Sequence, residues 1–235
     1  MKKKLLIICA THGNEKIGLE VVAELERKGL SDRFDQIVAN TEALAKNVRF
    51  ADCDLNRSYP GDEESDLYEK RRAAEILEIA KNYEYVIDMH EASSGTEDFI
   101  IIAKDRLPRS FPVSLVNMDT VLLWPEPKGP LCEVVENAIE LEFGVKNRNR
   151  EEAVAKAVTT LEDFIGKIYA GEQRQAPASQ KIYRAYGTLN TEDFGADIDS
   201  LKDFEETEAN GEIFYPLLVG QYLNDGIVCY KMKLQ

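Results

Sequence analysis

The run Leu5-Leu6-Ile7-Ile8-Cys9-Ala10 constrains this chain more than any other stretch. Six apolar or small residues without polar alternation suit a strand covered on both faces, the position it takes in a parallel sheet. Such a strand needs helices to cover it, and the first follows at once. Beyond Glu15, residues Ile17, Val21, Val22 and Leu25 recur at helical spacing among charges, with Gly29 as the stop. Between strand and helix lies Thr11-His12-Gly13-Asn14-Glu15, which sets one of only two histidines three residues ahead of a carboxylate.

The same alternation of strand and helix continues. Residues 36–40 read as a strand and 41–45 as a short helical turn. Residues 47–61 have neither period and end in a Pro-Gly turn, a long polar loop of the kind that carries function on a rigid scaffold. A helix is expected over 66–81, with Leu67, Ala74, Leu77 and Ile79 or Ala80 facing inward. Strands are expected at 85–90, 99–103 and 121–124, with a turn-rich stretch at 125–130. Residues 138–144 alternate with period two, so Glu140 and Glu142 share one face and Ile139, Leu141 and Phe143 the other. A closing helix over 151–168 carries Val154, Val158, Leu161, Phe164, Ile165 and Ile168 on one side. The polar segment 171–180 reads as a linker to short strands at 181–186, 212–219 and 227–230. The expectation is an α/β domain over 1–172, with a mixed, mostly parallel central sheet flanked by helices, and a small β-rich C-terminal domain over 173–235.

No apolar run approaches the roughly 20 residues of a membrane span. Lys2-Lys3-Lys4 precedes an apolar stretch that leads straight to His12 and not to a small-residue cleavage site, which points to a cytoplasmic protein. A net charge of −14 argues against nucleic acid or an anionic membrane as partner. A small anionic substrate would need a few placed cations, and a homo-oligomer is left open. Cys9, Cys53, Cys132 and Cys229 form no C-x-x-C pair and read as free thiols.

Each histidine follows a β-rich apolar run, at the edge where open α/β sheets hold their ligands. A single histidine is more often an ordinary surface or core residue. Together, His12, Glu15 and His90 make a metal-ligand set, and three protein ligands leave the fourth tetrahedral position open, as in a catalytic zinc site with one ion per chain. Asp88, on the same strand face as His90, reads equally as a partner that orients the imidazole or as a solvated carboxylate.

Thr-His-Gly-Asn-Glu, then Arg49 leading to Asp-Cys-Asp-Leu-Asn-Arg, then Asp-Met-His, then Leu-Glu-Phe-Gly, in that order, resemble the succinylglutamate desuccinylase and aspartoacylase family, relatives of the zinc carboxypeptidases. The resemblance spans residues 5 to about 168, with a weaker likeness of 214–222 to the family's C-terminal β domain. It implies a carboxypeptidase-like fold and zinc on His12, Glu15 and His90. It also implies that Glu142 activates water and protonates the leaving amine, Arg49 stabilises the oxyanion, Asn56 and Arg57 grip the substrate carboxylate, and Tyr222 reaches the site. Periodicity alone leaves Glu140 as an alternative to Glu142, and the Leu-Glu-Phe-Gly motif favours Glu142. Aspartoacylase has a further arginine upstream of the catalytic glutamate for the substrate's acidic side chain. Residues 130–137 here contain no cation, leaving Lys128, Arg106 or Arg109 to supply one.

The implied activity is hydrolysis of the amide of an N-acyl amino acid or a similar small substrate bearing a carboxylate. The rival readings are a metallocarboxypeptidase or amidase acting on a peptide-like substrate, and a non-catalytic zinc- or ligand-binding protein that keeps the fold.

Overall fold

Strand β1 (Leu5–Cys9) is buried along its whole length, and what covers it explains the architecture. Leu5, Ile7 and Cys9 pack into one apolar layer, while Leu6 and Ile8 pack into another on the opposite face. The first layer is closed by helices α1 (Ile17–Arg27) and, late in the chain, α5 (Arg150–Ala170), whose inward residues are those the spacing predicts. The computed structural model that shows this describes residues 4–92, 95, 97–125, 128–146, 148–172, 180–195 and 197–235.

Among the described residues, ten strands form one sheet. After β1 come β2 (Phe34–Val38), β3 (Tyr85–Ala92), β4 (Phe99–Ile102), β5 (Thr120–Leu123) and β6 (Ala138–Gly144). The C-terminal part adds β7 (Lys181–Asn190), β8 (Thr207–Ala209), β9 (Glu212–Leu217) and β10 (Ile227–Leu234). The spatial order is β2-β1-β3-β6-β4-β5-β7-β10-β9-β8. β1 pairs in parallel with both β2 and β3, and β3 with β6, so the carboxyl ends of these strands share one edge. β4 then runs antiparallel to β6, β5 and β7 follow β4 in parallel, and β10, β9 and β8 complete the sheet as antiparallel strands. This is the mixed, mostly parallel α/β sheet expected, and its β-rich C-terminal strands prolong it through the β5–β7 pairing. The linker expected at 171–180 and the turn at 125–130 fall largely or partly outside the described residues, at 173–179 and 126–127, as do Lys2 and Lys3.

The second face is covered by α3 (Tyr68–Ala80) and the short α4 (Leu131–Val134), with α2 (Thr41–Lys46) near the sheet edge. Two expectations are corrected here. The strand expected at 36–40 lies at Phe34–Val38, because Asn40 has left the sheet to cap α2, its side chain accepting the Ala43 N–H at 3.0 Å. The fully buried face of α3 is Glu69, Ala73, Ile76 and Ala80, of which only Ala80 was expected; Leu77 and Ile79 pack half-buried against the same layer as expected, Ala74 is half-buried, and Leu67 is exposed. An apolar period could not reveal this, since a carboxylate anchors the helix. Glu69 accepts the backbone N–H groups of Ala51, Asp52 and Cys53 at 2.6, 3.0 and 3.1 Å, and the Asn40 side-chain amide at 3.0 Å. It thereby holds the polar loop against α3. Among the described residues, no helix is long and apolar enough to cross a membrane.

Burial alone would raise the Glu69 carboxyl, but its hydrogen bonds from Asn40 and the 51–53 backbone outweigh that and hold it below the usual range. A depressed folded-state pKa stabilises fully above the unfolded value, near ~4.3, and the stabilisation is lost as pH falls through the folded value. Glu69→Gln should therefore be less stable than the wild type by about 1–3 kcal/mol at neutral pH. In urea unfolding, the gap should close as pH falls below about 4. A gap independent of pH would show that the charge of Glu69 is not what secures the loop.

Candidate metal centre and substrate cavity

The exit of β1 is shaped by two unusual backbone positions. Ala10 takes a left-handed conformation (φ 54°), rare for a residue with a side chain, and turns the chain out of the sheet. Gly13 sits so close to α2 that an added Cβ would lie 2.1 Å from the Ala43 carbonyl carbon. A turn closed by Glu15 N–H to His12 O at 3.0 Å then brings His12 and Glu15 to one place. On β3, Ile87 and Met89 fill the layer under α1 and α5, so Asp88 and His90 face the other side.

The three expected ligands meet there. One ligand atom from each of His12, Glu15 and His90 lies within 4.8 Å of the others, and the residues are 3, 8 and 2% exposed. His12 Nδ1 is 2.7 Å from Glu15 Oε1, and His90 Nδ1 is 3.1 Å from Glu15 Oε2. Both Nδ1 atoms thus converge, and each Nε2 has a carboxylate behind it. His12 Nε2 lies 3.1 Å from Asp54 Oδ1. His90 Nε2 lies 3.2 Å from Asp88 Oδ2, a close ionic contact and not an aligned hydrogen bond. Thr11 Oγ1 donates to both Asp88 oxygens at 2.8 and 2.9 Å, so Asp88 is a buried orienting group and not a solvated one.

Two imidazole nitrogens and a carboxylate, with each imidazole's far nitrogen on a carboxylate, are the donors and supports of a zinc-type site. The electrostatics agree. Burial works against charge on all three groups, yet Glu15 and Asp54 hold His12 above its ordinary value, and Asp88 and Glu15 hold His90 well above it. Glu15 is held below the usual carboxylate range against its own burial, chiefly by His12. A divalent cation can take over the role of those ring protons, and its binding must expel them.

The loop after α2 brings the remaining polar groups. Arg49 donates from Nη1 to Glu15 Oε1 and from Nη2 to Asp54 Oδ2, both at 3.3 Å. Asp54 also accepts the Asn56 N–H at 2.8 Å and so caps the single turn Leu55–Arg57. Arg57 is exposed, donates from Nη1 to Asn56 O at 2.7 Å and has no carboxylate partner among the described residues. Gly129 (φ 96°) fits against the Arg57 backbone, where a Cβ would come within 2.3 Å. On β6, Glu142 stands in register with His90, and Glu140 with Asp88. Burial, aided by Glu15 and Glu140 and opposed by His90, pushes the Glu142 carboxyl up to about 8.

All eight residues singled out from the sequence line one cavity: His12, Glu15, Arg49, Asn56, Arg57, His90, Glu142 and Tyr222. Tyr222 is near enough to Arg49 and Arg57 for both to oppose the rise that burial causes in its hydroxyl pKa. Sequence reasoning missed Asp54, which buttresses a ligand and an arginine at once. Its signal was an acidic residue two positions before Asn56, the spacing of an Asx turn. It also missed the apolar wall of Ile101, Ala103, Trp124, Pro130 and Leu218.

A model of the succinylglutamate desuccinylase/aspartoacylase catalytic domain matches residues 1–168. The chain belongs to this family. It is 36% identical over 123 residues to aspartoacylase of Rattus norvegicus, covering 44% of this chain and 39% of that protein. It is 33% identical over 118 residues to an N-acyl-aromatic-L-amino acid amidohydrolase (carboxylate-forming) of Xenopus laevis, covering 43% of this chain and 38% of that protein. These matches span about two fifths of the relatives' length. A crystal structure of a murine aminoacylase 3 mutant shares the fold, with a TM-score of 0.75 at 19% identity over 100% of this chain and 95% of that one. The resemblance to the desuccinylase/aspartoacylase family is thus shown, as is the fold it implied.

His12→Ala and His90→Ala should each abolish zinc retention at one ion per chain, measured by atomic emission. Asp54→Asn should weaken zinc binding about 10- to 100-fold. Zinc titration in two buffers of different ionisation enthalpy should reveal proton release at neutral pH, and affinity should fall as pH is lowered. Release of no protons would mean that the two imidazoles are not both ligands.

Proposed function

We propose that this chain is a cytoplasmic zinc-dependent hydrolase that cleaves the amide bond of an N-acyl amino acid or a similar small substrate bearing a free carboxylate. The observation that carries this reading is the convergence, in one cavity, of a His-Glu-His donor set, a half-buried glutamate in register with His90, and two arginines. The names of the matched relatives, an aspartoacylase and an N-acyl-amino-acid amidohydrolase, point the same way. Four free thiols fit a reducing compartment.

A zinc ion held by His12, Glu15 and His90 supplies a Lewis acid for the amide carbonyl and lowers the pKa of water to about 7. The remaining steps belong to side chains. Arg57, whose guanidinium makes no ion pair with a carboxylate among the described residues, receives the substrate carboxylate as a planar fork, and Asn56 contributes by orienting that fork through its backbone oxygen, which Nη1 meets at 2.7 Å. Arg49 presents its guanidinium where the carbonyl oxygen gains charge, and Tyr222 adds a hydroxyl near both arginines. Glu142 takes a proton from the attacking water and delivers it to the leaving nitrogen. Its raised pKa suits both halves of that task. Water adds to the carbonyl carbon, the C–N bond breaks, and a carboxylic acid and an amine leave.

Glu142→Gln should keep its zinc and lose kcat by several orders of magnitude, whereas Arg57→Ala should raise KM for carboxylate substrates with a smaller change in kcat. A hydrolysis screen over N-acyl amino acids and dipeptides, with zinc added or chelated, tests the reading as a whole. Activity indifferent to chelation, or confined to dipeptides, would reject it.

A further inference from the structure

Deeper on β6 stands a second carboxylate that the hydrolytic scheme leaves unused. Glu140 is 3% exposed, lies in register with Asp88 and lines the same cavity as Glu142. Residues two apart on a strand are separated by about 7 Å, so Glu140 sits roughly one short side chain below the base. Its hydrogen bonds come from neutral donors, the Cys132 thiol at 3.5 Å and the Asn56 side-chain amide. No lysine or arginine makes an ion pair with it among the described residues, and the cations that favour its charged form, His90 and Arg57, act on it without a hydrogen bond. A carboxylate in such a place is costly unless something cationic meets it.

Asn56 provides an independent sign of the same need. It is 5% exposed and lines the cavity, and its Oδ1 is buried without a hydrogen-bond partner. With the amide nitrogen turned toward Glu140, the oxygen is a second acceptor awaiting a donor. Ile101 is the strand partner of Glu140, and the same cavity is also lined by the hydrocarbon of Trp124 and Leu218. Apart from His12 and His90, Arg49 and Arg57 are the only basic side chains lining the cavity among the described residues, and each already has a part in the scheme above. The other cations considered from the sequence are engaged elsewhere. Lys128 pairs with Glu133 at 2.9 Å and Arg106 with Glu136 at 3.0 Å, while Arg109 is exposed and lies outside the cavity lining.

We propose that Glu140 and the Asn56 carbonyl oxygen form the end of the subsite for the substrate's side chain, and that this subsite selects an amino acid whose side chain ends in an ammonium group. The proposal rests on the hydrolase reading and names the amino acid released. An acidic side chain would place a second carboxylate against Glu140 in a poorly solvated pocket, with no lysine or arginine in an ion pair with Glu140 to offset the repulsion. A neutral side chain of equal length would fill the hydrocarbon wall but leave both acceptors unmet.

The test compares Nα-acetylornithine, Nα-acetylnorleucine, in which a methyl replaces the ammonium, and Nα-acetylglutamate as substrates of the zinc-loaded protein. Calorimetric binding of free ornithine, norleucine and glutamate is measured in parallel. The ornithine compounds should lead norleucine by about 10- to 100-fold in kcat/KM and in affinity, with glutamate last. In Glu140→Gln the ornithine-to-norleucine ratio should fall to near one, and in Glu140→Asp, which keeps the charge, a preference should persist. The wild-type comparison stands even if a variant folds poorly. Hydrolysis of all three without an ornithine preference overturns the subsite and leaves the hydrolase reading intact. Preferential ornithine binding without hydrolysis does the reverse. Neither hydrolysis nor preferential binding rejects both.

Discussion

Packing a carboxylate and two imidazoles together beneath the sheet edge, almost out of reach of water, is the condition on which the rest of the site depends. Charges removed from water cost several kcal/mol each unless they are paired and hydrogen-bonded. The surroundings of His12, Glu15 and His90 meet that condition by alternating sign. Asp54 stands behind His12, Asp88 behind His90, and Arg49 spans Glu15 and Asp54. Thr11 satisfies the remaining capacity of Asp88. The loop that carries Arg49 and Asp54 cannot shift without unpairing the Glu15 carboxylate and the His12 imidazole together. Its backbone is tied to α3 through Glu69, so a helix on the sheet's second face helps to position the donor set.

How much of this was legible in the sequence follows from which forces leave a period. β1, α1, α5 and β6 were readable because burying one or both faces of a regular element imposes a spacing on its apolar residues, and Ile139, Leu141 and Phe143 all enter the layer that the alternation assigns them. Co-location of the donor set was also readable, since β1 and β3 are adjacent parallel strands whose ends share an edge. The inward face of α3 was not, because its anchor is a charged residue that scores as solvent-facing by any apolar count. Asp54 was hidden for a related reason. Its importance lies in contacts with His12 and Arg49, 42 and 5 residues away, and the local Asx-turn spacing that marks it says nothing of those partners. β8 is only three residues long, too short for alternation to register.

The division between chemistry and selection follows from the sheet. His90 and Glu142 are neighbours through the backbone ladder of β3 and β6, so their separation is set by peptide hydrogen bonds and not by how side chains pack. The wall facing them comes from other places: Ile101 on β4, Ala103 and Trp124 just beyond β4 and β5, and Leu218 just beyond β9. Substitutions in that wall can change the shape and polarity of the cavity while His90 and Glu142 keep their spacing. Glu140 is the exception, being on the same strand as Glu142. Changing it alters what the cavity accepts and also, through their mutual repulsion, the ease with which Glu142 holds a proton. A bound ammonium at Glu140 would weaken that repulsion and lower the Glu142 pKa. In the reaction proposed for this site, the identity of the substrate's side chain would thereby reach the proton-transfer step.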